Sequence, residues 1–184
     1  MTARRSRGLA VAFASAVVLA APGAVAGDPY LDWYTIPTPH FRVSYHSGLA
    51  QPAQRVASML EAVHARLTPQ LGRTSTEVTE VVLTDITDSA NGSATALPYN
   101  AIRLFASAPD DMSPLSEYDD WMAELVTHEH THILHLDNIS GIPALVNAVL
   151  GKTMAPNQVQ PRWVLEGLGV ALESEHTGGG RLRS

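Results

Sequence analysis

Residues 121–138 read WMAELVTHEHTHILHLDN, a run without proline or glycine in which Ala123, Leu125, Val126, Ile133, Leu134 and Leu136 surround four of the protein's eight histidines. A run of this kind suits a substantially buried helix. Burial then constrains the rest of the fold, because imidazole and carboxylate groups taken out of water need partners. Within the run, His128-Glu129-His130-Thr131-His132 fits the pattern H-E-x-x-H. On a helix His128 and His132 project from one face, close enough to share one metal ion. Glu129 lies about 100° round the helix, beside such an ion and not on it. A zinc hydrolase needs that placement, since the carboxylate must take a proton from water without filling a coordination site. Five residues alone are a weak pattern, and an ordinary histidine-rich helix with satisfied side chains is the alternative.

The same helical period places three further groups. Glu124, one turn before His128 on its face, either orients that imidazole through its second ring nitrogen or is an exposed helix carboxylate. His135 follows His132 by three residues, and it competes for a third ligand position or stands behind a ligand. His130 points about 160° away from His132 and takes no metal role.

The N-terminus has another character. Arg4, Arg5 and Arg7 precede an apolar run over residues 9–21, and Ala24-Val25-Ala26 is a small-x-small cleavage site. Residues 1–26 therefore read as a secretory signal peptide, and the mature chain as periplasmic or secreted. The apolar run is short for a membrane span, so no stable membrane insertion is expected after cleavage. Removing residues 1–26 leaves 158 of 184 residues, enough for one domain, and moves the formal charge from −6 to −9, because three arginines leave and no acid does. An acidic chain is a poor partner for nucleic acid or an anionic membrane. There is no cysteine, so any metal must be held by histidine and carboxylate, which is the catalytic kind of zinc site.

In chain order, residues 27–39 are aromatic and proline-punctuated, which predicts an irregular leading segment packed on the surface by Tyr30, Trp33 and Tyr34. Residues 40–46 alternate as a strand, with His40 and His46 as exposed strand-end residues. Residues 48–71 carry Val56, Met59, Leu60, Val63 and Leu67 at helical spacing and end at Pro69-Gln70-Leu71-Gly72. His64 borders that stripe and reads as a surface or packing residue. Residues 77–84 (EVTEVVLT) predict a central strand. Residues 94–97 and 101–105 flank Pro98-Tyr99-Asn100 as a hairpin or bent edge strand, which either receives an extended substrate or is an ordinary sheet edge. Residues 107–120 read as a loop, 144–150 as a short apolar helix and 151–161 as another loop.

A second acid sits in an apolar run at 162–173, where Glu166 is followed by Gly167 and precedes Gly169, glycines that allow this helix to approach the first closely. A carboxylate brought to His128 and His132 completes a two-histidine, one-glutamate site with a position open for water. Together the motifs resemble the gluzincin metallopeptidases of the peptidase MA-like group, in which H-E-x-x-H is followed by a helix opening W-x-x-E-G. Trp163-Val164-Leu165-Glu166-Gly167 matches that opening, with Pro161 before it.

The resemblance implies an α+β, zincin-like fold, with a small mixed sheet packed on the H-E-x-x-H helix and a second helix carrying the third ligand. It implies Zn2+ on His128, His132 and Glu166, Glu129 as general base, and hydrolysis of a peptide or protein substrate. Glu124, His135 and Glu173 are the candidates for outer partners of the ligands. The expected organisation is a signal peptide at 1–26, a peptidase domain at 27–177 and a flexible or truncated tail at 178–184. Some long relatives continue into a TolB-like propeller, so the chain is expected to be the N-terminal part of a longer protein. The tyrosine or histidine that steadies the oxyanion in relatives lies outside the two motifs, and Tyr99 and His176 are the residues of those types at hand. The alternatives are a catalytically inactive zincin-fold docking module and a periplasmic zinc-binding protein.

Overall fold

The computed structural model describes residues 30–73, 75, 77–88, 90–109 and 120–182, and the described residues from Leu31 onward form one unit. The signal-peptide reading and most of the loop expected at 107–120 lie outside them. The fold is α+β: a five-stranded mixed sheet with four α-helices among the described residues. The strands are β1 (Trp33–Pro37), β2 (Phe41–His46), β3 (Thr79–Thr84), β4 (Gly92–Thr95) and β5 (Ala101–Phe105). Their order is β1-β2-β3-β5-β4, with β2, β3 and β5 parallel and the two edge strands antiparallel to their neighbours. Helix α1 (Ala50–Leu71) makes the crossover from β2 to β3 that a parallel pair requires.

Alternation decides which face of the sheet is covered. Phe41 and Val43 of β2, Val81 and Leu83 of β3, and Ile102 and Leu104 of β5 are all buried, while Arg42, Val82 and Arg103 between them are not. The inward side chains meet α1, which buries Ala53, Val56, Ala57, Leu60, Val63 and Leu67 at helical spacing, and α2 (Trp121–Leu136). Helix α1 stops where its sequence signals it, with Gly72 in the left-handed conformation. Helix α2 starts on Asp120, whose side chain accepts from the Ala123 amide.

Two sequence expectations fail at β1 and β2. The proline-punctuated leading segment contains a strand, because Tyr34 stacks on Tyr45 and Trp33 meets His46 edge-on across the antiparallel pair. Pro37 closes that strand at the sheet edge, where a missing amide costs no ladder bond. His46 is buried, not exposed, and its Nδ1 lies 2.9 Å from the Ser47 carbonyl.

Beyond α2, helix α3 (Gly141–Leu150) starts three residues earlier than expected, and a 3₁₀ turn (Pro156–Val159) leads to α4 (Arg162–His176). A polar cluster anchors this connection. Lys152 Nζ lies 2.6 Å from Asp137 Oδ1, at the end of α2, and donates to Asn100 Oδ1 at 2.7 Å. The Asn100 amide and the Ser75 hydroxyl complete the Asp137 carboxylate. Asparagine and glutamine of the 3₁₀ region bind His135 by its carbonyl and its ring, so the chain returns across α2 at a fixed height. Among the described residues no single helix is long and apolar enough to cross a membrane.

Candidate metal centre

Helices α2 and α4 pack against each other, and their facing residues build the site. The Nε2 atoms of His128 and His132 lie 3.0 Å apart. Glu166 Oε2, from the first turns of α4, stands 3.4 Å from the former and 3.9 Å from the latter. Three donors at those separations share a point about 2.0 Å from each, which is the usual bond length from zinc to imidazole nitrogen or carboxylate oxygen. His128, His132 and Glu166 thus form a group that can hold a metal ion, and the residues fit the ion that the motif implies. Burial, reinforced by His128 alongside, drives the His132 imidazole down to about 4, so it is neutral with a lone pair to offer.

One face of α4 meets the His128 ring along its length. Glu166, Gly169 and Glu173 recur at i, i+3 and i+7. Glu166 addresses Nε2, while Glu173 Oε2 lies 2.8 Å from Nδ1. Burial alone would raise the Glu173 carboxyl, but hydrogen bonds from Arg181 and His128 outweigh it and hold the group at about 2. An ionised Glu173 makes Nδ1 the protonated nitrogen and leaves the Nε2 lone pair aimed at the shared point. Gly169 lies under the ring, where a Cβ would stand 2.6 Å from Cε1 and Nδ1. Gly167 faces open space, so only one of the two glycines singled out in the sequence serves close approach.

Glu129 is buried on the side of α2 that faces β4. Gly92 and Ala94 occupy the inward positions of that edge strand, paired with Leu104 and Ile102. A Cβ at Gly92 would stand 2.9 Å from Glu129 Cγ and Oε1, so a small residue there is what admits the carboxylate. Burial pushes the Glu129 carboxyl up to about 7, with His128 opposing and Glu166 adding to the rise. In front of these groups lies a cleft of about 720 Å³, with Asn91, Gly92 and Ala94 on one wall and Arg162, Leu165 and Glu166 on the other.

The remaining expected residues sort differently. Glu124 is buried but does not hold His128; Thr177 Oγ1 is 3.4 Å from its Oε1, and burial with the nearby Glu173 charge raises it to about 7. The role of orienting His128 falls to Glu173, on the other helix. His135 is not among the converging donors, since its Nε2 pairs with Gln160 Oε1 at 2.9 Å. His130 faces away from the site, as its period requires. It is fully buried, 3.1 Å from Nδ1 of His64, whose packing role it explains. Burial takes His130 down to about 3. Tyr99 and His176 do not line the cleft. Sequence reasoning missed Arg181, placed in a loose tail; its side chain lies against Glu173 and His128 and reaches the cleft. Only the glycines before it hinted at a turn. The chain matches no protein-family model, no curated protein and no solved structure.

Proposed function

We propose that the chain is an exported, zinc-dependent peptide hydrolase of the gluzincin type, with His128, His132 and Glu166 as ligands and Glu129 as general base. The convergence of three donor atoms on one point, with a buried carboxyl beside them and a cleft in front, carries this reading. When bound, zinc supplies Lewis acidity, which polarises a scissile carbonyl and acidifies water. The chain's residues supply the rest. With its carboxyl near 7, Glu129 accepts a proton near neutral pH and gives it up again to a leaving amine. Glu173 keeps His128 turned so that Nε2 offers its lone pair. Strand β4 is a sheet edge beside the cleft, which favours an extended peptide aligned by main-chain hydrogen bonds. The α2 helix beneath that edge, with α4 returning across it, supports a zincin-like arrangement.

The test is zinc content of the purified mature chain together with hydrolysis of fluorogenic peptides, with and without chelator. The wild type is expected to bind one zinc and cleave peptides, and Glu129→Gln to keep the zinc while losing at least about 100-fold in turnover. A zinc-loaded chain without chelator-sensitive hydrolysis refutes the enzyme. A Glu129→Gln variant that turns over normally refutes the base.

A further inference from the structure

After α4 the chain doubles back along the helix it has just left. Gly180, at φ +97°, makes this possible: a Cβ there would stand 2.3 Å from Ser174 Cα, so both the conformation and the space require glycine. The Leu182 amide then donates to Ser174 Oγ at 3.1 Å. Between these two anchors Arg181 sets its guanidinium on Glu173, with Nε 2.7 Å from Oε1 and a terminal nitrogen 2.9 Å from Oε2. Glu173 is only 1% exposed, and Oε2 is the oxygen that also faces His128 Nδ1 at 2.8 Å.

We propose that Arg181 is a positioning residue of the metal centre: its two-pronged hold on Glu173 fixes that carboxylate and, through it, the tautomer and direction of the His128 ring. The argument is one of donors and acceptors. Arginine has donors only, so both Glu173 oxygens are committed as acceptors and Nδ1 of His128 must be the nitrogen that carries hydrogen. The Arg181 terminal nitrogen also comes within 2.9 Å of Nδ1. A lone pair on Nδ1 would accept from that donor but would then face Glu173 Oε2 at 2.8 Å, acceptor against acceptor, so hydrogen on Nδ1 is the arrangement that satisfies the shorter contact. Without Arg181, Glu173 is left in a buried position with Oε1 stripped of its strongest partner, beside the second buried acid Glu124. Its carboxylate then has no reason to keep the direction that His128 needs.

The inference rests on the zinc reading only in its affinity arm. In the first arm, nitrogen-15 NMR of the metal-free protein reads the His128 tautomer. In the second, zinc affinity is measured by chelator competition. Wild type is expected in the Nδ1–H form. Arg181→Leu is expected to lose that preference and to bind zinc about 10- to 100-fold more weakly. Gly180→Val, which displaces the turn but keeps the arginine, is expected to copy it. Arg181→Lys keeps the charge without the fork and is expected to recover part of both. A merely structural role would lower the melting temperature and move neither readout. Wild-type tautomer and affinity in Arg181→Leu overturn the proposal; should that variant not fold, the same values in Arg181→Lys do so. A wild-type chain that binds no zinc refutes the proposed function instead and leaves the tautomer arm to judge Arg181.

Discussion

Gly169→Ala measures how closely α4 is held against His128. The added Cβ would lie 2.6 Å from Cε1 and Nδ1, and ordinary contact begins at 3.4 Å, so something must yield by about 0.8 Å. The ring has little freedom to do so. It is 5% exposed, its Nδ1 is engaged by Glu173 at 2.8 Å, and its Nε2 is 3.0 Å from His132. The helix must therefore back away and take Glu166 with it, at an overpacking cost of about 1–3 kcal/mol. Alanine returns about 0.8–1.0 kcal/mol as the better helix former. The net loss of stability is thus about 0–2 kcal/mol, small for a core change. Metal binding has no such compensation. Donors that share a point about 2.0 Å away cannot absorb a shift of about 0.8 Å, so zinc affinity is expected to fall at least about tenfold. Gly167→Ala is the control on the same helix, with nothing within 4 Å of the new Cβ. It should gain stability by about 0.8–1.0 kcal/mol and bind zinc as before. Urea unfolding of the metal-free variants and zinc titration against a chromophoric chelator supply both numbers. If the two alanine variants behave alike, α4 does not approach His128 as described, and the reasoning for the whole centre fails.

Two other perturbations probe the surroundings. In the metal-free protein, stability is expected to fall gently between about pH 6.5 and 4.5 and more steeply below. In the upper window folded Glu124 and Glu129, raised to about 7, gain protons that the unfolded carboxyls, at 4.5, do not, and so offset most of the loss from His130 and His132, held near 3 and 4, and from His64, lowered by burial, which refuse protons that unfolded imidazoles take at 6.5. Below 4.5 the carboxyl gain is exhausted, and His130 together with Glu173, held at about 2, each loses about 1.4 kcal/mol per pH unit; urea midpoints from pH 7.5 to 3.5 that show no steeper decline below 4.5 than above it refute this balance of signs. Lys152→Met strands Asp137, itself 8% exposed, beside a deleted cation and is expected to cost about 3–5 kcal/mol by urea unfolding. A loss below about 1 kcal/mol would mean that this pair does not anchor the connection after α2.

What could be read ahead of the structure depended on whether one helix or two decided it. His128, His132 and Glu129 owe their relation to the period of α2 alone, and Glu166 followed from a second motif on a second helix. The outer carboxylate needed both helices at once. Glu124 sits on the correct face of α2, one turn from His128, but α4 crosses there and puts Glu173 against Nδ1 first. The choice between the two glycines was open to the same reasoning. If Glu166 points at α2, then Gly169, three residues on, shares its face and Gly167, one residue on, does not. Strand β1 was lost for the opposite reason: its prolines are local signals, while the aromatic pairs that make it a strand are formed with β2. Arg181 had no periodic signal, since it follows three glycines and reaches its place by a turn rather than by a helix face. Local period thus specifies which atoms can bind an ion. The contacts that orient those atoms come from a neighbouring helix and from a turn after it, and a one-dimensional pattern holds no record of either.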